Sequence, residues 1–131
     1  MKKINVLIAE NQRNTRHGLK ALLQFSPFID RIWEAEDGEE AIKMIEHVNP
    51  DLVITAANIP IIEGVCITRW IKKNRPGTKV IILTLYHYYE DEALAAGANR
   101  FLVKGTESIS IEEEISSLFP DELGVPNLPQ A

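Results

Sequence analysis

The sequence predicts an α/β fold: a five-stranded parallel sheet in the order 2-1-3-4-5 with helices on both faces. Short apolar runs alternate with amphipathic stretches along the whole chain, as repeated βαβ units require. Two of the runs, Leu52-Val53-Ile54 and Val80-Ile81-Ile82-Leu83, are continuous and not alternating, the pattern of strands covered on both faces. Turn-forming residues fall between the runs, at Asn49-Pro50, Pro76-Gly77 and Gly97. Right-handed crossovers restrict the topology, and the doubly wound order gathers the ends of the first, third and fourth or fifth strands at one crevice.

The elements follow in order. Ile4 to Ala9 is a buried strand, and Glu10-Asn11-Gln12 is a polar loop after it. A helix runs from Asn14 to about Phe25, with Leu19, Leu22 and Leu23 on its inner face and Ser26-Pro27 as its stop. Arg31 to Glu36 alternates as an edge strand. Asp37-Gly38 is a turn or cap, and Glu39 to Val48 is amphipathic. The strand after Pro50-Asp51 ends at Ala56, and Asn58-Ile59-Pro60 makes a turn. Glu63 to Asn74 carries Ile67, Trp70 and Ile71 at helical spacing. Lys79 to Thr84 is the fourth strand. A short helix covers Tyr89 to Ala96 and closes on Gly97. Arg100 to Val103 is the fifth strand, and Ser110-Ile111-Glu112-Glu113 is a capping-box pattern that opens a last helix to about Phe119.

The chain of 131 residues reads as one domain over 1–119, with a Pro-rich tail or linker at 120–131. Lys and Arg total 14 against 19 Asp and Glu, a net charge of −5. That acidity argues against nucleic-acid binding by this domain itself. Cys66 is the lone cysteine, which excludes an internal disulfide and a cysteine-based zinc site. No apolar run approaches the roughly 18 residues of a membrane span, and no signal-peptide core follows Met1-Lys2-Lys3. A cytoplasmic location with no membrane association is the expectation.

The predicted crevice collects Glu10, Asn11, Ala56, Asn58, Thr84 and Lys104. Singly, each is an ordinary loop or strand-end residue. Their convergence accompanies a set of motifs: Val6-Leu7-Ile8-Ala9-Glu10-Asn11, Glu34 to Ala41, Pro50-Asp51-Leu52-Val53-Ile54, Asn58-Ile59-Pro60 with Glu63-Gly64, Lys79 to Thr84, and Ala96-Gly97-Ala98 with Phe101-Leu102-Val103-Lys104. In these the chain resembles, from Ile4 to Phe119, the receiver (CheY-like) domain of two-component response regulators, of the type joined to LuxR/NarL helix-turn-helix domains. The resemblance implies the flavodoxin-like fold. It also implies phosphoryl transfer from a histidine kinase to an aspartate, with Mg²⁺ held by two acids and that aspartate. Lys104 matches the family's lysine, Thr84 its switch hydroxyl and Phe101 its switch aromatic. Asn58 matches the residue whose carbonyl faces the metal.

Two matches fail. Asn11 stands where the second acid belongs, and Ala56 stands at the phospho-acceptor position. The segment from Thr84 to Gly97 is also about two residues short of the family pattern. With Glu10 as the single remaining acid, Mg²⁺ binding is not expected, no cofactor is expected, and no residue is assigned as catalytic. The expected function is that of a pseudo-receiver: not an enzyme, independent of phosphorylation, acting by protein–protein contact and forming the N-terminal part of a transcriptional regulator. The resemblance places partner contacts, including homodimer contacts, on the face of the fourth helix, fifth strand and fifth helix. Tyr86, Tyr88 and Tyr89 are the candidate interface aromatics, and DNA would be reached only through a separate C-terminal domain. The alternatives are a phospho-null substitution in a working Mg²⁺-dependent receiver, and a flavodoxin-like module for a small ligand. No phosphate-cradling glycine loop follows the first strand, which weighs against a nucleotide binder.

Overall fold

A computed structural model describes residues 2–104 and 110–120. Strands β1 (Ile4–Ala9), β2 (Ile29–Ala35), β3 (Leu52–Ala56), β4 (Lys79–Thr84) and β5 (Arg100–Val103) pair in parallel in the order β2-β1-β3-β4-β5. The helices are α1 (Arg13–Leu23), α2 (Gly38–Val48), α3 (Gly64–Asn74), α4 (Glu90–Ala95) and α5 (Ile111–Leu118), with a single 3-10 turn at His87–Tyr89 leading into α4. The tail expected beyond Pro120 lies outside the described residues. Among the described residues no helix is long and apolar enough to cross a membrane.

The sheet separates two cores, and the two-residue period of a strand does the sorting. Leu7, Ala9 and Val53 point to one side, where Ala41 and Ile45 of α2 and Ile67 and Ile71 of α3 cover them. Val6, Ile8, Leu52 and Ile54 point to the other, under Leu23 of α1 and Ile111 and Ile115 of α5. Registers Ala9↔Thr55, Ala56↔Leu83 and Thr84↔Val103 bring the carboxyl ends of β1, β3, β4 and β5 to one edge. The site is built there.

Local signals set the helix ends. The Asp37 side chain accepts from Glu40 N at 2.8 Å and caps α2. Asn49 closes that helix with φ 47°, a left-handed conformation that asparagine tolerates. Ser110 accepts from Glu113 N at 3.3 Å, as the capping-box pattern anticipates. Gly97, with φ 101°, follows α4 as expected.

Three expectations need correction. Leu22 is not an inner residue of α1: it is 52% exposed, because the inward row runs through Arg16, Leu19 and Leu23. Arg16 can be buried there because its guanidinium donates to Glu34 at 3.1 Å, Glu36 at 3.3 Å and the Glu10 carbonyl at 3.0 Å. The second strand begins at Ile29, two residues before the alternation suggested, because Ile29 and Ile32 pair with Ile4 and Val6 of β1. The helix expected from Tyr89 begins one residue later, after a tighter 3-10 turn.

Candidate functional site

At the carboxyl edge of the sheet lies a cleft of 290 Å³ lined by Glu10, Ala56, Asn58, Thr84, Tyr86 and Lys104, among others. Glu10 leaves β1 with its backbone N–H on the Ala35 carbonyl at 3.0 Å, and the residue is buried, 7% exposed. Lys104 leaves β5 with its backbone N–H on the Thr84 carbonyl at 2.7 Å. Its Nζ donates to Glu10 Oε1 at 2.9 Å, while Gln12 N donates to Oε2 at 3.0 Å. Among the described residues Glu10 is the one carboxylate that lines the cleft, and both its oxygens are thus engaged by the protein itself.

Between these two residues, at the end of β3, is the methyl group of Ala56. The loop after it is tightly seated. Gly64 N donates to the Ala57 carbonyl at 3.0 Å, and Gly38 N to the Pro60 carbonyl at 2.9 Å. A Cβ at position 64 would collide with the Ala56 carbonyl oxygen, which is why glycine opens α3. Ile61 in the same loop has φ 75° and is 70% exposed. A β-branched residue in that region is strained. Thr84 is buried, and its hydroxyl accepts from Tyr86 N at 3.3 Å.

The structure therefore brings Glu10, Ala56, Asn58, Thr84 and Lys104 together, as the sequence predicts, and adds Tyr86 to them. It does not bring in Asn11, the remaining residue of the predicted crevice. Asn11 is exposed and does not line the cleft. Phe101 is half-buried against the core that α2 and α3 cover. Its direction follows from strand alternation, since Phe101 and Leu102 must point to opposite faces. Gln12 and Thr15 line the cleft as well and were not singled out in the sequence; their position in and just after the loop that follows β1 is the signal that could have found them.

Beside the cleft the tyrosines form a stack. Tyr86 and Tyr88 have ring centroids 5.4 Å apart at 26°, and Tyr88 and Tyr89 are 4.6 Å apart at 38°. The Tyr88 phenol, partial burial, and the Glu63 and Glu92 carboxylates push the Tyr89 hydroxyl above the usual phenol range. Among the described residues no three His, Cys, Asp or Glu side chains converge as a metal site.

Comparison with known proteins places this geometry. The model of the response regulator receiver domain matches residues 6–116. The transcriptional regulatory protein DegU of Brevibacillus brevis is 30% identical over 115 residues, covering 86% of this chain and 49% of DegU. The structure of the response regulator protein TrrA of Thermotoga maritima, in complex with Mg²⁺-BeF, superposes with a TM-score of 0.79 at 32% identity, covering 90% of this chain and 99% of that one. A LuxR-family DNA-binding response regulator of Staphylococcus aureus superposes with a TM-score of 0.78 at 26% identity, covering 89% of this chain and 97% of that one. The chain spans about half the length of the curated relatives it matches.

Proposed function

This chain belongs to the response regulator receiver domain family of two-component signalling and is related to the LuxR/NarL-type regulators; from that premise we propose that it is a pseudo-receiver, which signals through its surfaces without being phosphorylated. The observation that carries this reading is the Glu10–Lys104 ion pair of 2.9 Å closed across the alanine floor of the cleft. Phosphoryl transfer to a side chain needs a nucleophilic oxygen, and a methyl group has none. Mg²⁺ seeks near-octahedral oxygen coordination. The residues present do not suit it: the Ala56 side chain offers no ligand, Asn11 is exposed and does not line the cleft, and a cation at Glu10 would have to displace Lys104 and the Gln12 N–H. Lys104, which in a phosphorylated receiver would meet the phosphoryl group, is neutralised here by a carboxylate from the same chain.

The domain then acts by binding proteins, as the N-terminal part of a transcriptional regulator whose DNA contacts belong to another domain. The length of its relatives supports that arrangement. The test is incubation with acetyl phosphate or BeF₃⁻ in the presence of Mg²⁺, read by intact mass and backbone NMR. Unchanged mass and unmoved Thr84 and Phe101 resonances are the expected result; a phosphate adduct overturns the proposal. A second reading, a working receiver with one phospho-null substitution, is favoured by the retained convergence of Glu10, Thr84 and Lys104. It requires that Ala56→Asp alone restore Mg²⁺-dependent phosphorylation. The pseudo-receiver reading expects Ala56→Asp to remain inert until Asn11→Asp is added.

A further inference from the structure

The segment that joins β4 to α4 is the most exposed apolar stretch of the described chain. Leu85 is 62% exposed, Tyr86 47% and Tyr88 65%. A loop of this kind normally turns polar side chains outward. Here a 3-10 turn and the residue before it hold three tyrosine rings in a row, Tyr86 stacked on Tyr88 and Tyr88 tilted against Tyr89, so the rings are ordered before anything binds. Such pre-ordering lowers the entropic cost of association. Aromatic rings with few rotatable bonds are also the side chains that anchor protein interfaces.

The charge around the stack is of one sign. Glu90, Asp91 and Glu92 follow Tyr89 directly in the first turn of α4, and Glu63 stands at the start of α3. All four are exposed, and none makes an ion pair among the described residues. The carboxylates act on the rings, since Glu63 and Glu92 both raise the Tyr89 hydroxyl. The nearest lysine in the cleft, Lys104, is already paired with Glu10 and does not offset them. By contrast Glu114 at the start of α5 is paired with Arg100 at 3.1 Å, and no aromatic stack adjoins it.

We propose that the Leu85–Tyr89 turn and the first turn of α4 form a docking surface for an arginine-bearing segment of a partner protein. The inference rests on the reading of the domain as an interaction module and names the chemistry of its partner. Guanidinium groups stack on tyrosine faces and pair with carboxylates at once, and this surface offers both within one short segment. Tyr86 lines the cleft and bonds through its backbone to Thr84, so the surface is continuous with the site.

The test uses fluorescent dodecapeptides of alternating Arg-Ala, Lys-Ala and Glu-Ala, titrated against the intact chain at physiological salt without phosphodonor or Mg²⁺. Anisotropy gives affinity and backbone NMR gives location. The Arg-Ala peptide should bind more tightly than the Lys-Ala peptide, with shifts confined to residues 84–94 and Glu63. Tyr88→Ala should weaken it about fivefold, whereas Tyr88→Phe should retain it, consistent with a stacking contribution at an exposed site. Shifts spread equally over the α5 acids, equal binding of the Lys-Ala peptide, or indifference to Tyr88→Ala would overturn the proposal. A Tyr88-dependent dimer in sedimentation of the chain alone would also overturn it, by giving the surface to a second copy. Phosphorylation by acetyl phosphate, measured separately, would defeat the pseudo-receiver reading while leaving these titrations interpretable.

Discussion

Ile61 shows what a single backbone angle costs. Its φ of 75° lies where a side chain branched at Cβ crowds its own backbone, and with 70% exposure the side chain gains little burial in return. Ile61→Asn keeps the conformation at lower strain and should raise stability by about 1 kcal/mol in urea unfolding. Glu34 gives a prediction in pH. Burial opposes its charge, but Lys20 at 3.1 Å and Arg16 at 3.1 Å outweigh that and hold its carboxyl below the usual range. A depressed folded pKa stabilises at pH above the unfolded value, and that stabilisation is lost as pH falls through the folded value. Glu34→Gln should therefore lower the melting temperature at neutral pH and flatten its decline in acid. Residues at strand ends were legible because the alternation of elements fixes where strands stop: Glu10, Ala56, Thr84 and Lys104 all lie where the sequence put them. Arg16 was not, since a helical wheel treats arginine as an outward residue and only the folded neighbours Glu34 and Glu36 make its burial tolerable.

At the scale of elements, the strand-to-helix joint at β3–α3 sets the geometry of the cleft. Gly64 packs against the Ala56 carbonyl, and its own carbonyl accepts from the Thr68 hydroxyl at 2.8 Å. Gly64→Ala should destabilise the fold by roughly 2 kcal/mol or more, because the colliding atom is backbone and cannot swing away; urea unfolding reads this directly. At the other end of the sheet, Lys72 of α3 donates to the Thr78 carbonyl at 2.9 Å and to Asn99 Oδ1 at 2.7 Å, and the same oxygen accepts from Val80 N at 2.9 Å. Asn99→Ala removes the shared acceptor and should cost about 1–3 kcal/mol. The two continuous apolar runs were the most legible elements, and β4 and β5 have the predicted bounds. The edge strand β2 was blurred at its start, because an edge strand mixes polar residues into its pattern; Asp30 and Arg31 are exposed within it.

For the whole molecule, the Glu10–Lys104 pair links strands that are not neighbours in the sheet, since β3 and β4 lie between them. Lys104→Met leaves a nearly buried carboxylate with only the Gln12 N–H, and should cost about 1–3 kcal/mol given that Lys104 keeps some exposure. Adding Glu10→Gln should recover part of that loss, which a double-mutant cycle measures. The pair also has a kinetic consequence. It joins residues 94 apart in sequence and spans two intervening strands, so it is expected to form late in folding and to be absent from the transition state. In stopped-flow chevrons, Lys104→Met should steepen escape from the native state by raising the unfolding rate while the refolding rate stays nearly constant.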